Sequence, residues 1–269
     1  MFELINKNGV FLLKSTVLKS KHGFSTRIGG VSELEYTKSL NLAYGRGDEE
    51  DVVQKNLDIF ANAVGVDAGK IISVPQIHSN FVRAVDDSCA GEGVYKKHTL
   101  ECDGYITEAN NLPIAVKTAD CVPILIEARN DEGEVAIVSA LHAGWRGTAD
   151  KIVCVAIDKL LSFGIKSENI YVAIGPCIRQ CCYEVGYDFV DAIEEKLGQK
   201  YAEKHIEIKN NGKIYADIAA MNFELIISCG VPQNNVDISR SCTCCDSKLF
   251  FSHRRQNGKR GSMMNLICK

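Results

Sequence analysis

Alternating stretches of apolar and polar residues predict a chain of mixed α and β elements. Six short apolar runs are rich in β-branched residues, which favours strands over helices. They lie at residues 9–13, 71–74, 114–117, 122–127, 135–141 and 170–174. The third, fourth and fifth of these runs are almost continuously apolar, a pattern typical of strands that are buried on both faces.

Four other stretches carry apolar residues at the three-to-four spacing of an amphipathic helix. The first covers residues 49–64, and the second is expected to begin at a capping Thr148 and to run to about Phe163. The last two cover residues 187–197 and 216–228, and a glycine follows each of the four stretches closely.

No repeat, low-complexity segment or proline-rich linker divides the chain. We therefore expect a single domain over residues 1–269, of the α/β class, with sheets packed under helices. The order of the strands does not follow from these patterns.

Composition narrows the class of protein. The chain has 269 residues, of which 46% are hydrophobic and 24% charged, with a net charge of −3 and no basic block. These values favour a soluble globular protein and argue against a nucleic-acid groove. No apolar stretch is long enough to span a membrane, and the first residues lack the pattern of a signal peptide. We expect a cytoplasmic protein with no membrane partner, and its oligomeric state stays open.

Three residues far apart in the sequence indicate a metal site. His78 in PQIHSN, Cys121 in KTADCVPILI and His142 in SALHAGWRGT each lie at the edge of an apolar run. Two imidazoles and one thiolate suit zinc, and three protein ligands leave a fourth position open for water or substrate. A structural site would more often use four ligands in short-spaced pairs. This pattern predicts a metalloenzyme in which the three residues are both metal ligands and catalytic residues.

Five motifs support this interpretation through a family resemblance. In this order, the chain contains Gln76-Ile77-His78, Thr118-Ala119-Asp120-Cys121, His142-Ala143-Gly144-Trp145-Arg146-Gly147, Gly175-Pro176-Cys177-Ile178 and Phe250-Phe251-Ser252-His253-Arg254-Arg255. The chain resembles the laccase domain family, also described as purine nucleoside phosphorylase-like, which includes proteins called polyphenol oxidase and peptidoglycan editing factor. The resemblance runs from about Phe24 to Arg255.

The resemblance implies a fold, a cofactor and an activity. It implies a layered α-β-β-α sandwich and zinc held at His78, Cys121 and His142. It also implies a pocket for purine nucleosides and phosphate, with both nucleoside phosphorolysis and adenosine deamination. Adenosine, inosine, guanosine and methylthioadenosine are the expected substrates.

Three further residues are candidates for binding substrate. Arg146 lies in a glycine-containing turn before a predicted helix, where backbone amides and a guanidinium would attract phosphate. The alternative is a tight turn in which Arg146 pairs with a surface acid. Arg27 in TRIGG and Asn41 in SLNLAYG are candidates through similar patterns in the family, and the alternative is a solvated surface turn.

The segment FFSHRR, at residues 250–255, offers aromatic rings that would stack on a base and further cations. His253 in this segment is not expected to be a fourth ligand. Asp103 and Asp120 are the acids most relevant to the metal site, since a carboxylate can orient a histidine ligand or accept a proton. Asp120 has the stronger claim because it precedes Cys121.

The chain has twelve cysteines, and without a secretion signal we expect them to be reduced. A second metal site from Cys181, Cys182, Cys242, Cys244 and Cys245 is an open alternative. We expect most of these thiols to behave as small buried hydrophobic groups. The eleven cysteines other than Cys121 receive no role.

The leading hypothesis is a zinc-dependent purine nucleoside phosphorylase that also deaminates adenosine and accepts methylthioadenosine. Zinc lowers the pKa of bound water to near 7, which suits attack on C6 of adenine. Phosphate held by Arg27 or Arg146 would instead attack C1′ of the ribose.

Two rival enzymes stay open. A copper-loaded site could oxidise phenols, because copper replaces zinc at many nitrogen and sulfur sites. A cysteine hydrolase acting on cell-wall precursors would use Cys121 as nucleophile and His142 as base. A binding or scaffold protein would not need three converging ligands.

Overall fold

The computed structural model describes residues 1–269 as fourteen strands and six α-helices. The strands are β1 Phe2–Lys7, β2 Val10–Ser15, β3 Lys21–Ser25, β4 Val82–Ala84, β5 Gly104–Thr107, β6 Ile114–Thr118, β7 Val122–Arg129, β8 Val135–Ala143, β9 Ile170–Ile174, β10 Glu184–Val185, β11 Ile206–Ile208, β12 Ile214–Ala216, β13 Val236–Ile238 and β14 Met263–Cys268. The helices are α1 Glu50–Val64, α2 Trp145–Ala149, α3 Ile152–Ser162, α4 Tyr187–Leu197, α5 Gln199–His205 and α6 Ile218–Ser228.

These strands form two large sheets and one small sheet. The first large sheet has the order β1-β2-β3-β14-β6, and all its neighbouring pairs are antiparallel. The second has the order β13-β9-β7-β8-β5-β4, with parallel pairs only at its two edges. The small sheet, β10-β12-β11, lies beside helices α4 to α6 in the sequence. No helix is both long enough and apolar enough to cross a membrane.

Three apolar clusters show that the large sheets form two layers between two layers of helices. One cluster fills the space between the sheets and includes Phe24 and Met263 from the first and Leu125 from the second. Another packs α1 against the outer face of the first sheet, and a third packs α3 and α6 against the outer face of the second. The α-β-β-α sandwich expected from the family resemblance is thus confirmed.

Strand register brings distant parts of the sequence to one place. In the antiparallel pair of β7 and β8, Val122 lies opposite Ala143, so the residue before β7 lies beside the residue after β8. In the pair of β5 and β8, Gly104 lies opposite Leu141, which sets Asp103 beside His142. The parallel partner of β5 is β4, and the loop before it contains His78. The same end of the second sheet therefore carries all three predicted ligands.

Most predicted elements are confirmed to within a few residues, and two are wrong. Residues 71–74 form no strand: they are buried and extended, but their hydrogen bonds go to separate partners, with one isolated bridge between Ile72 and Ile114. The predicted helix from Thr148 is two helices, because Lys151 adopts a left-handed conformation (φ +57°) between α2 and α3. Thr148 lies inside α2, where its hydroxyl accepts a hydrogen bond from Asn222 rather than capping a helix.

Candidate metal centre

His78, Cys121 and His142 lie together at the end of the second sheet. Their ligand atoms all lie within 4.8 Å of one another. The two imidazole rings are 4.9 Å apart and nearly perpendicular. His142 is buried, Cys121 is partly exposed and His78 is exposed, so the group opens to solvent on one side.

Asp103 holds both histidines in position. Its carboxylate is fully buried, and His142 Nδ1 lies 2.8 Å from Oδ1. The same carboxylate accepts hydrogen bonds from the backbone N–H groups of Ile77, His78 and Ser79. With Nδ1 of His142 directed at Asp103, Nε2 is left for a metal, which is the usual carboxylate–histidine–metal arrangement. The role of orienting a histidine therefore belongs to Asp103 rather than to Asp120, which the sequence favoured.

Asp120 instead fixes the turn that presents Cys121. It has φ +101°, a conformation that residues other than glycine rarely adopt. Its carboxylate accepts hydrogen bonds from the Thr243 hydroxyl at 2.6 Å, the Ser252 hydroxyl at 3.0 Å and the Arg254 backbone N–H at 2.7 Å. These contacts tie the turn between β6 and β7 to the C-terminal segment and hold the strained backbone in place.

Gly144 allows the three ligands to approach the backbone closely. A Cβ atom at this position would lie 2.8 Å from Cδ2 of His78 and 3.5 Å from both Sγ of Cys121 and Cε1 of His142. The first distance is shorter than real Cβ contacts. The first glycine of the HAGWRG motif therefore serves the packing of the metal centre.

Cys121 and His142 each favour the charged form of the other. Burial by itself raises the pKa of the Cys121 thiol, but the charge of His142 and hydrogen bonds from both histidines lower it to about 6. Burial lowers the pKa of His142, but the Cys121 thiolate and Asp103 raise it to about 9. The thiol is thus already deprotonated at neutral pH, which is the form that binds metal.

A cavity of about 460 Å³ opens onto the three residues. Arg46, Lys117 and Arg260 also line it. Burial and the charge of Arg46 lower the pKa of Lys117 to about 8 and that of Arg260 to about 10. Lys117 donates to the carbonyl of Ser73, and Arg260 donates to Gly261 and Ser262, while Nε of Arg260 is buried without a partner. Three cations without a carboxylate partner make this cavity suited to an anion.

The sequence interpretation missed these three cations. Arg46 follows the SLNLAYG motif, and Arg260 lies in a polar segment between FFSHRR and β14. Neither residue lies in a stretch whose apolar residues have the spacing of a helix or a strand. Lys117 lies four residues before Cys121 on a predicted strand, so its approach to the cavity could have been inferred from that proximity alone.

The three residues predicted to bind substrate lie outside the lining of this cavity. Arg27 donates to the carbonyls of Lys38, Ser247 and Glu35 and stacks on Phe251. Asn41 is fully buried, and its Oδ1 accepts from the backbone N–H of Ser262, a cavity residue. Arg146 is exposed and stacks on Trp145. Their roles in binding substrate stay predictions.

The expected stacking of Phe250 and Phe251 on a base is wrong. Both side chains are fully buried in the cluster between the two large sheets, where their apolar surface is removed from water. His253 is exposed and is not among the residues that converge with His78, Cys121 and His142.

The expectation that most other cysteines are buried is also wrong. All twelve thiols are free, and only four of the remaining eleven are buried: Cys102, Cys177, Cys242 and Cys268. Four cysteines instead form a second group with ligand atoms within 4.8 Å of one another: Cys181, Cys182, Cys242 and Cys245. Cys242 and Cys245 have the CxxC spacing, a signal obscured by the adjacent Cys244.

The His–Cys–His group fits a single metal ion. A tetrahedral zinc ion with bonds of about 2.1 Å to nitrogen and about 2.3 Å to sulfur holds its ligands roughly 3.6 Å apart. The observed upper limit of 4.8 Å lies within a small side-chain adjustment of that value. A deprotonated thiol, a histidine oriented by Asp103 and an open side facing the cavity complete the fit.

Known proteins resemble this chain over most of its length. A family model described as multi-copper polyphenol oxidoreductase laccase matches residues 21–269. The chain is 32% identical to the purine nucleoside phosphorylase YlmD of Geobacillus stearothermophilus, over 91% of this chain and 88% of that protein. It is 31% identical to the adenosine deaminase RL5 of an unknown prokaryotic organism, over 86% and 87% of the two chains.

Two solved structures have the same fold as this chain. The hypothetical protein YfiH of Bacillus licheniformis superimposes with a TM-score of 0.89 at 30% identity, covering 99% of this chain and 98% of that one. The structure of YlmD from Geobacillus stearothermophilus gives a TM-score of 0.87 at 28% identity, covering 100% and 98%. This chain therefore belongs to the multi-copper polyphenol oxidoreductase laccase family.

Proposed function

We propose that this protein is a zinc-dependent purine nucleoside phosphorylase that also deaminates adenosine and accepts methylthioadenosine. The names of its relatives, an adenosine deaminase and a purine nucleoside phosphorylase, support adenosine and other purine nucleosides as substrates. The observation that carries it is the cavity, in which a His–Cys–His group and three cations without acidic partners occur together. Copper is a substitute metal at the same ligands, since it binds nitrogen and sulfur donors tightly.

Arg46, Lys117 and Arg260 are the residues best placed to hold phosphate. Arg260 is the strongest candidate, because it lines the cavity and its guanidinium donates only to Gly261 and Ser262 and pairs with no carboxylate. Burial, and after it the charge of Arg46, lowers the pKa values of Lys117 and Arg260, and an anion bound among the three would offset the repulsion from Arg46. This cluster replaces Arg27 and Arg146 as our first choice for binding phosphate.

Phosphorolysis requires the phosphate and the nucleoside to be held so that the attacking phosphate oxygen, C1′ of the ribose and the purine nitrogen lie in line. A phosphate oxygen forms a bond to C1′ of the ribose, the bond from C1′ to the purine nitrogen breaks, and the purine takes up a proton. The protein's contribution is to position phosphate on the cations with the nucleoside beside the His–Cys–His group. The volume of about 460 Å³ lies in the usual range for a small-molecule pocket.

Deamination uses water in place of phosphate. A zinc ion bound here supplies a Lewis acid and a means of activating water at neutral pH. Asp103 keeps His142 in the tautomer that can bind the metal, and Gly144 leaves space for all three ligands. The two reactions therefore share one cavity and differ in the nucleophile.

The test is to incubate protein purified without chelator with adenosine, with and without phosphate, and to separate the products by chromatography. We expect adenine and ribose 1-phosphate only when phosphate is present, and inosine in either case. Arg260→Met should lose phosphorolysis and retain deamination, whereas His78→Ala should lose both. Protein that contains zinc but converts no nucleoside would contradict the proposal.

A cysteine hydrolase is the second candidate, because Cys121, His142 and Asp103 also have the order of a nucleophile, a base and an orienting acid. The two candidates differ in the state of Cys121. A nucleophile is alkylated in the native enzyme, whereas a zinc ligand is protected until the metal is removed. Inactivation by iodoacetamide without prior chelation would favour the hydrolase.

A further inference from the structure

We propose that Cys181, Cys182, Cys242 and Cys245 form a second metal site, a structural zinc centre separate from the His–Cys–His group. The four Sγ atoms all lie within 4.8 Å of one another. Sγ of Cys245 lies 3.5 Å from that of Cys181 and 3.3 Å from that of Cys182. No residue of this group belongs to the His–Cys–His group or lines the cavity beside it.

The distances match one ion coordinated by four sulfur atoms. A tetrahedral centre with zinc–sulfur bonds of about 2.3 Å places its sulfur atoms about 3.8 Å apart. A disulfide would join only two of the four thiols and would leave the other two unpaired beside it. A single ion satisfies all four, and four thiolates favour zinc over harder cations such as Mg²⁺.

Two turns present the sulfur atoms: one carries the adjacent Cys181 and Cys182, and the other carries Cys242 and Cys245 at the CxxC spacing that is common in closed zinc sites. In one turn, the backbone N–H of Cys182 donates to the carbonyl of Arg179, and in the other that of Asp246 donates to the carbonyl of Cys242. An isolated bridge between Cys177 and Cys242 holds the two turns side by side. Sγ of Cys242 accepts a hydrogen bond from the backbone N–H of Arg179 at 3.4 Å, a contact that stabilises a metal-bound thiolate.

Positive charge surrounds this group. Arg254 donates to the carbonyls of Cys182 and Glu184, and Arg255 donates to those of Thr243 and Cys244. Arg179 donates to the carbonyl of Ser239 and pairs with the carboxylate of Asp217 at 3.2 Å, so its charge is already compensated. A zinc ion with four thiolates carries a net negative charge, which the guanidinium groups of Arg254 and Arg255 would compensate.

The proposed zinc centre would join two segments of the chain that both contact Asp120. One turn leads into Tyr183 and β10, and the other leads into the segment that contacts Asp120. Ile178, just before the first turn, donates its backbone N–H to the carbonyl of Asp120. A metal ion that joins the two turns would fix both sides of the strained residue that precedes Cys121.

Metal content separates the two sites. We expect native protein purified without chelator to contain about two zinc ions per chain, and Cys245→Ser and His78→Ala each to contain about one. Cys89→Ser, which removes a partly exposed thiol from another region, is the matched control and should retain both. If Cys245→Ser fails to fold, Cys181→Ser serves instead, because Cys181 is exposed and its side chain supports no apolar core.

X-ray absorption gives a second readout that does not depend on activity. In the double variant His78→Ala/His142→Ala, the remaining zinc should show only sulfur neighbours, at about 2.3 Å. A shell containing nitrogen would overturn the proposal. So would native protein whose single zinc is lost in His78→Ala and unchanged in Cys245→Ser, or a disulfide between Cys182 and Cys245 found by peptide mass spectrometry.

Discussion

At the scale of single residues, the arrangement of the His–Cys–His group depends on three residues outside it. Asp103 links the His78 loop to His142, Asp120 holds a strained backbone before Cys121, and Gly144 provides space. The convergence of His78, Cys121 and His142 could be predicted from their motifs. The role of Asp103 could not, because it depends on the register of β5 with β8, which the sequence does not specify.

Gly144→Ala is expected to abolish metal binding at the His–Cys–His group. The added methyl group would lie 2.8 Å from the His78 ring, so the ring must move and the ligand set must open. The measurement is zinc content together with the thermal unfolding midpoint. Gly69→Ala is the control, because its methyl group would meet only the end of the Asp67 side chain, at 3.3 Å. Unchanged zinc content in Gly144→Ala would contradict this prediction, because it would mean that the His78 ring can move aside without loss of the metal.

In metal-free protein, the rate at which Cys121 is alkylated should fall at a lower pH than the rate for an ordinary cysteine. The thiol has a pKa of about 6, below that of an ordinary cysteine, so the reactive thiolate is already present at pH 7 and is lost as the pH falls below about 6. The measurement is the rate of iodoacetamide labelling of the Cys121 peptide by mass spectrometry from about pH 5 to 9. In Asp103→Asn, weaker support for the charged imidazole should shift the midpoint upward, and an unchanged midpoint would contradict this account.

Lys117 should make phosphate binding sensitive to alkaline pH. Its pKa is lowered to about 8 by burial and by Arg46, so in the free enzyme the ammonium is charged below this pH and is lost above it. We therefore expect the KM for phosphate to rise above about pH 8 while the KM for adenosine changes little. Lys117→Met should have a high phosphate KM at every pH, and a profile that matches the native enzyme would exclude Lys117 from phosphate binding.

At the scale of elements, the turn between β6 and β7 depends on the C-terminal segment. Periodicity predicted both strands, but not that residues 243–254 would supply the partners of Asp120, since these contacts span more than 120 residues. The break between α2 and α3 was missed for a similar reason. The pattern of apolar residues continues across it, and only the left-handed conformation of Lys151 marks the division.

Asp120→Ala should destabilise the protein by about 2–4 kcal/mol, because it removes a charged acceptor and leaves buried hydroxyl groups of Thr243 and Ser252 without it. The measurement is denaturant unfolding of metal-free protein. Asp120→Asn keeps one acceptor oxygen and tolerates the positive φ, so its free energy of unfolding should decrease clearly less than that of Asp120→Ala. Equal losses in the two variants would mean that the negative charge itself, rather than hydrogen bonding, stabilises the turn.

At the scale of the whole molecule, the family and the layered fold could be recognised from sequence, whereas the cavity could not. Its cations come from the loop before α1, from β6 and from the segment before β14, and only the folded sheets bring them together. The predicted substrate residues Arg27, Asn41 and Arg146 belong to recognisable motifs, but a motif does not show which way a side chain points.

Phosphate should stabilise the folded protein, because an anion that binds only the folded state shifts the unfolding equilibrium. At about 100 times its dissociation constant, the gain is about 2.7 kcal/mol, which is several degrees in the midpoint. The measurement is the difference in midpoint with and without phosphate at constant ionic strength. Arg260→Met should reduce this difference even if its own midpoint is lower. If phosphate raises the midpoint of Arg260→Met as much as that of the native protein, phosphate does not bind at Arg260.

The position of β14 has a consequence for synthesis of the protein. Its residues 263–268 lie between β3 and β6 in the first sheet, and Asn265 donates a hydrogen bond to Val116, 149 residues earlier in the chain. As the ribosome produces the chain, β3 and β6 emerge long before the strand that joins them. Until β14 arrives, both strands expose unpaired backbone groups at their edges, a state that invites association with other chains. The nascent chain thus depends on β14 to close the sheet.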